Sequence, residues 1–333
     1  MPHRFPSLSW CSPVACAAVI VCAAAAPATQ AATFGNVYVF GDSLSDNGNF
    51  FRASGLTIPA SPPYDQGRFS NGPVAVEYMA SALGAQLHDY AVGGASSGYG
   101  NVDIDISYGA FYYTGLLSQV NAFGLGLSQA QVGADPNALY VVWAGANDFL
   151  NATVADLADP TKSAAIIGTA VSNLTQAVGA LYADGARHFL LPLMPNLGAT
   201  PQVQAYGAQA GLLASGLSSS FNDQLKIGYD ALATQLTGES FTYFDTFSAT
   251  NAAYTAIADA GGNVTDGCIS SASALAAGCQ GYMFFDDVHP TTAVHQLLGQ
   301  QMAAAVPEPS SMLSLSLGVM VLLGLSACRK RRA

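Results

Sequence analysis

The strongest constraint on the fold is the position of the glycine-rich polar clusters. Short apolar runs end abruptly in them, and longer helical stretches separate one run from the next. Val37-Tyr38-Val39-Phe40 is a buried-strand pattern stopped by Gly41, which opens the cluster Gly41-Asp42-Ser43-Leu44-Ser45-Asp46. Gly93-Gly94-Ala95-Ser96 follows a strand expected over Leu87 to Val92, and Gly145-Ala146-Asn147-Asp148 follows the strand Leu139 to Trp143. Asp286-Asp287-Val288-His289-Pro290 precedes a final helix, expected to begin at Pro290 and run through His295 to Ala304. Between these lie a helix after Asn71-Gly72-Pro73 with Pro73 in its first turn, and a long helix through Ala164 to Ala183. A strand at Phe189 to Leu191, a helix over Leu212 to Leu236 and a strand at Phe241 to Phe244 complete the pattern. Such alternation implies an α/β fold whose parallel sheet carries helices on both faces. Active sites of these sheets lie at the carboxyl ends of the strands. All four clusters fall on that rim.

Composition raises a membrane question, because 51% of the 333 residues are hydrophobic, only 9% are charged, and the mean hydropathy is +0.32. Much of the apolar content sits at the ends. Residues 1–32 begin with His3 and Arg4, run apolar from Val14 to Ala26 and finish in small residues, the layout of a secretory signal peptide. Cleavage after Ala28, Ala31 or Ala32 fits equally, and an amphipathic first helix is the alternative. Residues 306–333 read Val306-Pro307-Glu308-Pro309-Ser310, an uncharged stretch from Ser311 to Cys328, and Arg329-Lys330-Arg331-Arg332. This tail resembles the PEP-CTERM sorting signal of Gram-negative bacteria, which implies export, a transient inner-membrane helix and delivery to the periplasm or outer surface. A permanent single-span anchor is the alternative reading. The body, residues 33–305, is one domain by length.

With the ends set aside, the formal charge falls from −11 to about −15, since the removed segments hold five of the ten basic residues but only one acid. That balance argues against nucleic acid as a partner, because phosphate binding needs a basic face. Of six cysteines only Cys268 and Cys279 lie in the body, eleven residues apart in a Gly/Ser/Ala-rich loop. An even pair in an oxidising compartment is expected to form a disulfide. Two cysteines are too few for zinc. Asp103 and Asp105 alternate in a loop and read as solvent-facing, so neither metal nor cofactor is expected.

A serine hydroxyl becomes a useful nucleophile only beside a base that something else orients. Ser43 follows a glycine at a strand-to-loop switch, which exposes its oxygen, although such a sequence also makes ordinary turns and caps. His289 is one of four histidines in the body, with His88, His188 and His295. Asp286, three residues earlier, can reach its imidazole, whereas Asp287 is expected to point elsewhere and His295 to be a surface or packing residue. Acyl transfer also needs donors for an oxyanion. Asn147, the Ser43 N–H and Gly93 or Gly94 are the candidates.

At these residues a family resemblance emerges. Phe40 to Asn49 resembles the first block of the GDSL, or SGNH, hydrolases, and Gly67-Arg68-Phe69-Ser70-Asn71-Gly72 a segment of their plant-type and secreted bacterial branch. Tyr90 to Ala95 is similar to block II, Gly145 to Asp148 to block III, and Asp286 to Pro290 to block V. The resemblance implies a three-layer α/β/α flavodoxin-like domain with Ser43 as nucleophile, His289 as general base and Asp286 orienting it. Ser43 N–H, Gly94 and Asn147 would form the oxyanion hole. Block II usually opens with Asn where this chain has Asp89, so Gly93 stays an alternative to Gly94. The expected function is an exported esterase or lipase acting through an acyl-serine, with Asp286→Asn leaving some activity. Polysaccharide O-deacetylation or acyl transfer at the same site, and a non-catalytic role in a biofilm matrix, are the alternatives. Phe50, Phe51 and the segment Tyr99 to Tyr113 are candidates for an acyl groove.

Overall fold

Strands β1 (Asn36–Gly41), β2 (Gln86–Asp89), β3 (Leu139–Trp143), β4 (His188–Pro192) and β5 (Ser240–Phe244) form one all-parallel sheet in the order β2-β1-β3-β4-β5. That is the flavodoxin-like order, and its topological switch point lies between β1 and β3. The computed structural model describes residues 34–102 and 114–307. The expected signal peptide, nearly all of the sorting tail, Asp103, Asp105 and Phe111 to Tyr113 lie outside the described residues.

Period-two side-chain alternation splits the sheet residues between two cores. Phe40, Tyr140, Val142, Phe189 and Leu191 face one way. They are covered by helices α2 (Leu116–Ala130), α3 (Pro160–Asp184) and α4 (Ala208–Ala233). Val37, Val39, Leu139, Val141 and Leu190 face the other way, against α1 (Ala75–Leu83), α5 (Thr246–Asp259) and α6 (Thr292–Ala305). The three-layer α/β/α architecture is therefore present.

Helix α3 is the one helix among the described residues long and apolar enough to cross a membrane. Its apolar stripe, including Ile167, Leu174, Val178 and Leu181, is instead buried in the first core. It starts earlier than hydropathy suggests because Asp159 caps it, Oδ1 accepting from Thr161 N at 2.8 Å and from Lys162 N at 3.3 Å.

Both proline-based helix starts shift. Helix α1 begins at Ala75 rather than at Pro73, and Glu77 accepts the Val74 N–H at 2.9 Å to close the first turn. The Pro73 carbonyl lies ahead of the helix and accepts from Thr292 Oγ1 at 2.9 Å. Helix α6 begins at Thr292, because Pro290 is still in an antiparallel bridge with Phe284. Strand β2 is shorter than expected, although Tyr90 N and Val92 N continue bonding to β1 carbonyls at 2.8 and 3.2 Å.

A small parallel pair, β6 (Asn263–Gly267) and β7 (Tyr282–Phe284), stands beside the main sheet. The disulfide Cys268–Cys279, with Cα atoms 5.6 Å apart, closes the loop between them. Phe285 packs on this disulfide and its carbonyl accepts from Ile269 N at 2.8 Å, so the pair fixes the residue just before Asp286. A Cβ on Gly267 would lie 2.7 Å from the Asp286 carbonyl carbon, so only glycine permits that approach.

Candidate active site

Ser43 leaves β1 on a tight turn. Gly41 is required there, since a Cβ would lie 2.3 Å from the Trp143 carbonyl oxygen. Buried Gln119 clamps the same glycine, accepting from Gly41 N at 2.9 Å and donating to Gly41 O at 2.8 Å. The Asp42 carbonyl then accepts from Ser45 N and Asp46 N, both at 3.0 Å, and the turn presents the Ser43 hydroxyl.

His289 comes from the loop after β7, 246 residues away, and its Nε2 lies 2.7 Å from Ser43 Oγ. Its Nδ1 lies 2.7 Å from Asp286 Oδ2 and 3.0 Å from Oδ1. A carboxylate can only accept, so Nδ1–H donates and Nε2 is left to accept the serine proton. Asp286 also receives the backbone N–H groups of Val288 at 2.9 Å and His289 at 2.7 Å. Burial pushes its carboxyl upward, but adjacent His289 and these bonds outweigh that and hold it at about 2. The group is thus ionised at neutral pH. Asp287 is exposed, and its carbonyl accepts from Gln202 N at 2.9 Å.

Two aromatic residues flank this pair, Tyr64 from outside the sequence motifs and Phe69 from the Gly67–Gly72 segment. Tyr64 donates its hydroxyl to Asp286 Oδ2 at 2.9 Å and stacks edge-on against Phe285, ring centroids 5.0 Å apart. Burial and the neighbouring carboxylate raise its pKa, which keeps the phenol protonated as a donor. Phe69 lies against the His289 ring at 5.2 Å. Arg68, pairing with Glu77 at 2.7 and 2.8 Å, anchors the segment that carries Phe69, and Ser70 Oγ donates to Pro290 O at 2.8 Å. Tyr64→Phe is expected to lower kcat about three- to ten-fold with KM for a short ester unchanged. It should also move the acid limb of the kcat/KM profile upward, because a carboxylate with one donor fewer holds an imidazolium more tightly. A pH titration of turnover checks this; an unmoved profile would reduce Tyr64 to packing.

Block II supplies the next wall. Asp46 is buried and gathers backbone N–H groups from Gly48 at 2.8 Å, Phe50 at 3.1 Å and Gly93 at 2.7 Å, along with that of Asn49. Burial raises its pKa against the pull of these donors. The Gly93 N–H is therefore engaged, whereas the N–H groups of Ser43 and Gly94 have no hydrogen-bond partner among the described residues. Gly94 has φ +73°, and a Cβ on Gly93 would lie 2.2 Å from the Phe69 ring, so both positions need glycine. Asp89, where Asn is usual, accepts from Asn47 N at 3.0 Å and Ala91 N at 2.9 Å, and burial raises its pKa well above the ordinary value.

Asn147 stands in the first turn of the short helix Ala146–Leu150, entered through Gly145 at φ +115°. One amide hydrogen goes to Ala95 O at 3.0 Å, which leaves the other for a ligand. Asp148 fastens this helix to block II by accepting from Ser97 N at 2.8 Å and Ser97 Oγ at 2.7 Å. Ser43, Asn147 and His289 together line a cavity of about 580 Å³ that also takes in Asn151, Asn196 and Asn251. His295 is a fully buried packing residue, its Nδ1 accepting from Ala75 N at 3.2 Å, and burial pushes its pKa down to about 3. Chemically, the arrangement offers an oriented base on a hydroxyl, with free N–H groups nearby.

Comparison with known proteins identifies the family. The model for GDSL-like lipase/acylhydrolase matches residues 37–302, and that for the PEP-CTERM protein-sorting motif, a mark of export and surface sorting in Gram-negative bacteria, matches residues 305–332. The chain is 27% identical over 323 residues to a phosphatidylcholine-sterol acyltransferase of Aeromonas hydrophila, covering 82% of this chain and 90% of that one. It is 28% identical to the thermolabile hemolysin of Vibrio parahaemolyticus, covering 83% of this chain and 64% of the other. It is 26% identical to the esterase EstA of Pseudomonas aeruginosa, covering 64% of this chain and 36% of that one.

Proposed function

Because the chain belongs to the GDSL-like lipase/acylhydrolase family, we propose that it is an exported serine hydrolase of carboxylic esters, acting in the periplasm or at the outer surface. The observation that carries this reading is the unbroken relay Ser43 Oγ–His289 Nε2–Nδ1–Asp286, with 2.7 Å at each junction. Ser43 Oγ attacks the ester carbonyl carbon while its proton passes to His289 Nε2, and Asp286 stabilises the resulting imidazolium. The carbonyl oxygen becomes an oxyanion that receives the N–H groups of Ser43 and Gly94 and the spare amide hydrogen of Asn147. Collapse breaks the bond to the alcohol oxygen, which takes the proton back from Nε2. Water then attacks the acyl-serine by the same route, releasing the acid and restoring Ser43.

A second reading has an alcohol replace water in the last step, making the protein an acyltransferase. The similarity to a phosphatidylcholine-sterol acyltransferase favours it. Both readings pass through an acyl-serine. A fluorophosphonate probe is therefore expected to label the protein once, at Ser43 by peptide mapping, and no labelling would refute both. Adding an alcohol during p-nitrophenyl ester turnover then separates them by whether free acid or a new ester accumulates.

A further inference from the structure

A second cavity of about 390 Å³ lies against the first, walled by Leu150, Leu157, Leu197, Val203, Leu213 and Ala214 among others. The two are neighbours that share a wall, since Leu150, Leu197 and Gln202 line both. Their chemistry differs. The first carries Asn147, Asn151, Asn196 and Asn251, whereas Thr153, Gln202 and the Tyr206 hydroxyl are the polar side-chain groups of the second. An apolar cavity directly beside a polar one fits a ligand with a polar head and a hydrocarbon chain.

We infer that the second cavity is the acyl-chain subsite of the ester substrate; this rests on the hydrolase reading above. The direction follows from the roles of the two polar groups. The leaving alcohol must sit at His289 Nε2, which returns its proton, and the carbonyl oxygen sits at Asn147. The acyl chain is bonded to that same carbonyl carbon and extends past Asn147, away from the leaving group. Leu150 follows Asn147 by three residues on the same short helix, so the two side chains share one face. The chain passes along that face into the second cavity. Its far end is open, because Val154 and Tyr206 line it while remaining 47% and 68% exposed. Of the aromatic candidates for an acyl groove, Phe50 is buried against Phe69 in a separate small cluster.

Helix α4 provides the test, since Ala210 and Ala214 lie four residues apart on it and both line the cavity without contributing to the catalytic pocket. For the unaltered protein, kcat/KM on p-nitrophenyl esters should rise by about fourfold per methylene from butyryl upward and level off once the chain reaches the open end. Ala214→Phe should leave acetyl and butyryl esters within about twofold and lower octanoyl and lauroyl esters about ten- to a hundred-fold. Leu157→Ala, which widens the cavity, should shift preference toward longer chains. Equal loss at every chain length, or no loss at any, overturns the inference. Binding of methyl octanoate to the Ser43→Ala protein by calorimetry decides the matter without turnover. Binding weakened by Ala214→Phe supports the subsite even if no ester is cleaved, and binding that Ala214→Phe leaves unaltered overturns it.

Discussion

Replacing Ser43 by Ala is expected to lower ester hydrolysis by about 10⁴- to 10⁶-fold while the melting temperature stays unchanged. The two halves of this expectation have different origins. In the proposed mechanism the hydroxyl is the atom that forms the acyl intermediate, and it lies 2.7 Å from its base, His289 Nε2. The turn around it depends on main-chain bonds from the Asp42 carbonyl and on the Gln119 clamp of Gly41, none of which uses the Ser43 side chain. Stopped-flow release of p-nitrophenol beside a thermal melt measures both. Substantial turnover in a folded Ser43→Ala protein would remove Ser43 from the mechanism.

Asp286→Asn should be nearly as severe, lowering kcat by about 10³- to 10⁴-fold. Asp286 is an acceptor for His289 Nδ1–H, Tyr64 OH and two backbone N–H groups, and it has no donor duty. An amide keeps one acceptor oxygen and turns the other position into a donor. If the nitrogen faces Oδ2's partners, it opposes Tyr64 OH and favours the imidazole tautomer that cannot accept the serine proton. If it faces Oδ1's partners, it opposes the N–H groups of Val288 and His289 and loosens the loop. Some activity survives because the oxyanion donors are untouched. Comparing kcat at saturating butyryl ester for the two proteins checks the size, and a loss below tenfold would mean that the loop alone orients His289.

The site was legible in the sequence where its signal is local. Ser43, Asn147 and His289 each follow or precede a strand or helix boundary within a short polar cluster, and Cys268 and Cys279 were the one even pair left in a body expected to reach an oxidising compartment. Tyr64 and Gln119 were not legible, because their partners are 222 and 78 residues distant and nothing around them is patterned. The choice between Gly93 and Gly94 turned on a carboxylate 47 residues earlier that engages one of the two N–H groups. Helix α2 escaped notice because it contains Gly124 and Gly126, has no side-chain cap and takes its stability from packing Val120 and Phe123 on the sheet. The β6–β7 pair escaped for a similar reason, since its register is irregular and three of its residues are Asn263, Asp266 and Gly267.

The stitching of residues 70–75 to residues 290–295 ties the loop that carries His289 to a segment from the first third of the chain. Ser70 holds Pro290, Asn71 holds Thr292, Pro73 holds Thr292, and Ala75 holds His295. The five-stranded sheet is complete in sequence by Phe244, yet the base for Ser43 arrives only with the last loop. A chain emerging amino end first therefore carries its nucleophile unarmed through nearly its whole passage. On the proposed mechanism, a chain that ended before residue 289 would carry the serine without its base.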